Sequence, residues 1–313
     1  MNGADIPRIP LGTWAEDGID WLTDNVSWLF DAFSAIMSFL VTNLETGLTS
    51  IPTYVAVALF GLIGWFFRSW RLALGTILAF LLVVSMGQWT QLLQTMALVL
   101  VATLVAVVIA VPLGIWAAKS STVSAIVRPI MDFMQTMPAF VYLIPAVTFF
   151  SIGVVPGLFS TIIFALPPGV RLTELGIRQV DSETVEAGEA FGASDWQILR
   201  GIQLPLAVPS IMAGVNQVIM LSLSMAVIAG MVGAPGLGQE VVSAISTLDL
   251  AQGVEAGLAV VFLAVFLDRM TAALGNSSQY QGSLWAKLRG RRRKPSTQTS
   301  AATTGMPVSN VAT

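Results

Sequence analysis

Apolar residues in this chain are gathered into long blocks separated by short polar breaks, not spread in stripes along amphipathic segments. From residue 53 onward the blocks fall near 53–67, 70–87, 90–118, 129–152, 156–171, 205–232 and 253–270. A helix of about 20 apolar residues matches a hydrocarbon core about 30 Å thick. With no water to satisfy backbone groups, such blocks must be helical. The pattern therefore predicts an all-α polytopic membrane protein with about seven spans, the third long enough to tilt.

The first 50 residues follow a different pattern. Val26, Leu29, Phe33, Ile36, Met37 and Leu40 recur at helical spacing, while Asp20, Asp24, Ser27, Asp31 and Ser38 occupy the opposite side. Trp14, Trp21 and Trp28 add the aromatic character of a membrane interface. The expectation is a helix lying in the interface plane. A span over 27–44 is the competing reading, and Asp31 near its middle would cost about 2.5–3.5 kcal/mol. The first 20 residues show no basic stretch followed by an apolar one, so no cleavable signal is expected.

Composition sharpens this picture. Of the 313 residues 55% are hydrophobic and 11% charged, against about 25% charged in an average soluble protein. Cysteine and histidine are both absent, which excludes disulfides, thiolate or imidazole metal sites and Ser-His or Cys-His catalysis. The net charge of −3 matters less than where the basic residues lie. With residue 1 outside and the spans alternating, 14 of the 15 Lys and Arg residues fall inside, leaving Arg8 alone outside. The positive-inside rule then places the N-terminus out and the C-terminus in. After about residue 275 the sequence turns polar, then basic over 289–294, then rich in Ser, Thr and Ala. The basic run suits anionic headgroups of the inner leaflet, and the last 18 residues read as a disordered tail.

The longest polar stretch between spans, 171–204, is organised. Asp181 or Ser182 can cap a short helix, and Gly192 sits where a helix end favours a left-handed residue. Ser194, Asp195, Trp196 and Gln197 fit the S-x-x-Q capping box of a second short helix. Leu204 and Pro205 are expected to end that helix and open the sixth span.

Within this stretch Glu186, Ala187 and Gly188 are followed after three residues by Gly192, and after nine more by Ile202, Gln203, Leu204 and Pro205. This resembles the EAA motif of ABC importer permeases. Gly188 replaces the usual alanine, a change that loosens a helix by about 1 kcal/mol. Longer strings narrow the resemblance: MQTMPAFVYLIP at 134–145, FALPPGVRLT at 164–173, AGVNQ at 213–217, AVIA at 226–229 and GLGQ at 236–239. Over about 50–275 the chain is similar to permeases of the glycine betaine/proline betaine importers, the ProU and OpuA type, with choline and carnitine permeases close by. The resemblance implies a type I ABC importer transmembrane domain at 90–275, preceded by two accessory helices at 51–89 and the N-terminal segment at 1–50, and followed by the tail at 276–313. The coupling helix would lie at 181–204. It implies an osmoprotectant uptake system in the cell membrane, with the permease as a homodimer. Its partners would be cytoplasmic ATPase subunits, which hold ATP and Mg, and an extracytoplasmic binding protein. Glu186, Ala187, Gly188, Gly192, Ile202, Leu204 and Pro205 would meet the ATPase. The chain itself has no G-x-x-x-x-G-K-[ST] phosphate loop, so hydrolysis is expected from another chain, with no cofactor in this one and no nucleic-acid partner.

No Asp, Glu, Lys or Arg falls near the middle of the seven blocks, which argues against a proton relay and so against an ion-coupled carrier. Polar and aromatic residues of blocks four and six, Gln135, Tyr142, Asn216, Gln217, Ser222 and Ser224, are candidates to line a pathway. Helix–helix hydrogen bonds are the alternative use of each. Pro138, Pro145, Pro167 and Pro168 are expected to interrupt spans four and five. The glycine-rich run 233–238 is expected to turn sharply on the outer side.

Overall fold

A computed structural model describes residues 10–275, which are helical almost throughout and contain no strand. The basic run and the tail lie outside the described residues. The helices are α1 (Leu11–Thr49), α2 (Thr53–Phe67), α3 (Trp70–Ser85), α4 (Trp89–Lys119), α5 (Ser121–Thr136), α6 (Leu143–Phe150), α7 (Val154–Arg178), α8 (Ser182–Ala190), α9 (Asp195–Ile198), α10 (Leu204–Ala229), α11 (Leu237–Thr247) and α12 (Leu250–Gly275). Among the described residues five helices are long and apolar enough to cross a membrane, or six with a bent pair counted as one.

The centre of the bundle is α7, flanked by α4 and α10. Close approach is set by small residues, as in membrane helix pairs generally. A side chain at Gly169 would strike Ala110 of α4 at 2.8 Å, and one at Gly157 would strike Ala229 of α10 at 2.7 Å. At the other end Gly114 of α4 packs against Thr173 and the Val170 carbonyl. An aromatic cluster of Phe60, Phe80, Trp89 and Phe266 then locks α2, α3, α4 and α12 together, with ring centroids 5.3–6.3 Å apart.

Four departures from the sequence pattern have physical causes. α1 runs unbroken for 39 residues apart from a kink at Val26, and part of its apolar stripe packs on protein while Leu29 and Ile36 stay exposed. Phe30 and Phe33 pack against Phe149, Phe150 and Phe159, and Met37 and Val41 are buried against the bundle. α2 and α3 match blocks one and two but hold 15 and 16 residues, about 22–24 Å each, and form a helical hairpin in which neither reaches across a full core alone. Block four is not one span. α5 starts at Ser121 behind a Ser120 cap, and the chain turns through 107° at Met137–Pro138 before a 3-10 turn and α6. The residue before proline is pushed to extended backbone, and Met137 has φ −71°, ψ 134°. Pro167 and Pro168, by contrast, break nothing: both are buried inside continuous α7, where α4 and α10 hold the helix from two sides.

The run 233–238 does turn sharply. Gly233 and Gly236 have φ of +83° and +121°, and the turn leads into α11, a helix the block pattern does not show. The Leu237 N–H donates to Thr95 Oγ1 at 2.8 Å, tying the turn to α4.

Candidate functional site

The polar stretch after α7 folds as a tight helical hairpin. Asp181 caps α8 by accepting from the Glu183 N–H at 3.0 Å. Its C-terminus closes as a Schellman turn, in which Ala193 N–H donates to the Gly188 carbonyl at 3.1 Å and Gly192 N–H to Glu189 at 2.8 Å. This geometry needs a left-handed residue, and Gly192 has φ +80°. Gln197 then reaches back to accept from the Ser194 N–H at 2.8 Å, completing the capping box.

Leu204 and Pro205 do not end the second helix. α9 passes through a π turn, Leu199–Gln203, straight into α10, giving one helical rod from Asp195 to Val232. The wider turn makes room for Pro205, whose ring would clash with the carbonyl four residues back. Gly188 also has a use beyond smallness: a side chain there would sit 2.8 Å from Ile202 Cδ1, so the glycine lets α8 lie against Ile198 and Ile202. Ala187 and Glu186 face outward, and Leu204 is half-buried. Glu186 and Glu189 line a cavity of about 360 Å³ with Arg178 and Gln203. At the tip, Phe191 is 93% and Trp196 65% exposed. Two bare aromatics on either side of a rigid turn make a surface suited to docking a partner. Motif spacing misses them; an aromatic pair in an otherwise polar, capped loop is the signal that finds them.

A second polar centre lies beside the hairpin, between α5 and α7. α7 continues two turns past the apolar block, placing Arg171, Glu174 and Arg178 on the helix. Glu174 is only 4% exposed. One of its oxygens accepts from Ser124 at 2.7 Å, Arg128 at 2.8 Å and Arg178 at 2.9 Å. Arg178 donates further to the Ala117 carbonyl at 2.8 Å, and Arg171 pairs with Asp132.

Residues 110–277 match the family model described as binding-protein-dependent transport system inner membrane component. The glycine betaine transport system permease protein OpuAB of Bacillus subtilis is 48% identical over 89% of this chain and 99% of its own.

The chain belongs to this family of inner membrane transport components.

It is also similar to the glycine betaine/proline betaine transport system permease protein ProW of Escherichia coli, 45% identical over 88% of this chain and 78% of that one. A crystal form of the inward-facing MetNI methionine ABC transporter shares the fold, with a TM-score of 0.57 at 20% identity, over 61% of this chain and 95% of that one. The protein is thus a multi-pass membrane component of a transport system and not itself an enzyme.

In this permease the candidate pathway residues divide into two sets. Gln135 on α5 and Gln217 and Ser224 on α10 are exposed. Ala213, Gln217, Met220 and Ser224 form one open stripe along α10. Tyr142, Asn216 and Ser222 face protein instead. The Tyr142 hydroxyl donates to the Met134 carbonyl, bracing the bend between α5 and α6. Asn216 donates to Asp268 of α12 at 3.1 Å. Ser222 is fully buried within α10's packed face.

Proposed function

We propose that this chain is the permease of an ATP-driven importer for quaternary ammonium osmolytes, glycine betaine or proline betaine foremost, with choline and carnitine as related cargo. The observation that carries the coupling role is the hairpin 181–205, capped at both helices, closed by Gly192 and tipped with exposed Phe191 and Trp196. It docks an ATPase chain, which holds ATP and Mg, and Glu186, Ala187, Gly188, Gly192, Ile202, Leu204 and Pro205 shape that contact. The substrate class rests on the strings at 134–145 and 164–173 and on the high identity to glycine betaine permeases across most of the chain.

Two copies of the chain pair in the membrane, and an extracytoplasmic binding protein delivers the solute. The hairpin end faces the cytoplasm, in keeping with the basic residues collected there: Arg178 bonds the end of α4, and Arg68 donates to the Arg269 carbonyl at 3.4 Å. Anionic lipid meets the basic run at 289–294. Gln135, Gln217 and Ser224 line the pathway.

Reconstitution with the cognate ATPase and binding protein in liposomes tests the reading. Labelled glycine betaine should enter only with ATP, ahead of choline, carnitine and proline. Uptake without the ATPase, or a preference for free proline, would overturn it.

A further inference from the structure

Charge is scarce in this protein, yet five of the six residues lining one cavity are ionisable: Arg128, Asp132, Arg171, Glu174 and Arg178, with Leu175 the sixth. The cavity measures about 310 Å³, within the range of small-molecule sites. Its ionisable groups have two distinct roles. Glu174 is buried and already satisfied by Ser124, Arg128 and Arg178, so these groups form a fixed wall. Arg171 and Asp132 pair with each other at the open side, and their side chains are 38% and 65% exposed. Arg171 spends one of its five N–H donors on Asp132, leaving the rest free to bind.

The surroundings of this pair decide what it faces. α5 has three sides, set by its turn of about 100° per residue. Val127, Met131 and Met134 pack on the bundle, and Ile126, Ile130 and Phe133 form an exposed apolar face. Arg128, Asp132 and Gln135 form a separate polar face between them. Ionised side chains in a membrane protein are costly against lipid and line water-filled cavities instead. This polar face leads from the bend at Pro138 past the pair to Arg178, which also lines the cavity beside Glu186 and Glu189 of α8. Arg178 is thus shared by this cavity and the one at the hairpin.

We propose that Arg171 and Asp132 form a transit site for the zwitterionic osmolyte on the hairpin side of the bend. This rests on the substrate class proposed above. Arg171, backed by Arg128, receives the carboxylate, and Asp132 receives the quaternary ammonium. The ligand exchanges ion pair for ion pair, so it passes with no change in net charge and no proton transfer. An exposed pair is weakly held, which suits release more than storage. A purely anionic ligand would meet the three guanidiniums but also the two carboxylates, and a purely cationic one would leave Arg171 without a partner.

The chain contains no cysteine, so a single reporter thiol can be introduced into the permease and its labelling followed on the permease band. Leu175→Cys is placed in the complete transporter in liposomes and labelled with methanethiosulfonates carrying a trimethylammonium or a neutral group. Gln135→Cys is a second reporter on the same polar face of α5. Both reagents should label the thiol, since the site is open to water. Millimolar glycine betaine should slow labelling several-fold, with equal acetate or tetramethylammonium having little effect. Asp132→Asn and Arg171→Gln should each abolish the protection. A thiol closed to water-soluble reagents at both positions overturns the site, since the face would then lie against lipid or protein. Protection by acetate or by anionic lipid equal to that by glycine betaine overturns it in favour of an anion or headgroup site. Glycine betaine uptake by the parent transporter is measured alongside. Uptake without protection refutes the transit site alone, and absence of uptake refutes the substrate class with it.

Discussion

Substituting Gly192 separates backbone strain from lost contacts. The residue sits at φ +80°, and nothing lies within 4 Å of where a side chain would begin. An added Cβ therefore meets nothing, and its effect is conformational. An L-residue forced into left-handed backbone costs roughly 1–2 kcal/mol, and a β-branched one sits at the upper end or beyond. One to two kcal/mol is about a 5- to 30-fold shift away from the closed turn. Opening it breaks the bonds from Ala193 to Gly188 and from Gly192 to Glu189, and frees α8 from Ile198 and Ile202. Gly192→Val should accordingly lower glycine betaine transported per ATP hydrolysed by about fivefold or more, with the membrane bundle still folded. Gly192→Asn, which tolerates left-handed backbone, should stay within about twofold of the parent. The assay is paired ATPase and uptake rates in proteoliposomes. Parent-like coupling in the valine variant would refute the role given to the turn. Equal losses in both variants would show that the ATPase reads the side-chain space at 192 and not the backbone.

Three further outcomes are expected. Gly230→Ala should strongly reduce the yield of folded protein and its thermal stability in detergent, because its side chain would lie 2.4 Å from the Gly238 backbone; Gly257→Ala, mid-helix in open space, should hold or gain up to about 1 kcal/mol. Thr95→Val leaves the buried Leu237 N–H unpaired and should cost about 1–3 kcal/mol in a denaturation measurement. Phe191→Ala and Trp196→Ala should each weaken ATPase association by about 5- to 30-fold, on the scale of about 1–2 kcal/mol for interface aromatics, in a pull-down or titration with the purified ATPase, leaving permease stability unchanged.

The apolar blocks read correctly where lipid and protein demand the same thing of a helix. α4, α10 and α12 begin and end within a few residues of their blocks. The caps of the hairpin were equally legible, since Asp181, Gly192, Ser194 and Gln197 act through local backbone geometry. Hydropathy hides what tertiary packing decides. α7 keeps its helix past Arg171 because Glu174 finds three donors from its neighbours, so charges that looked like loop belong to the bundle. The break at Pro138 and the continuity at Pro167 and Pro168 carry the same residue signal. Their difference lies in how closely α4 and α10 surround the second pair. For the same reason the partners of Tyr142 and Asn216 could not be read from the sequence.

The unbroken rod from Asp195 to Val232 gives the molecule a lever. Its 38 residues extend about 57 Å at 1.5 Å per residue. The π turn at Leu199–Gln203 divides it unequally, with a short arm of about 10 Å at the hairpin tip and a long arm of about 47 Å reaching the glycine turn on the far side. If the rod pivots about that turn as one rigid body, motion imposed on the short arm is multiplied roughly fivefold at the other end. A displacement of about 1 Å under Trp196 would then be felt as several ångströms where Gly230 abuts Gly238.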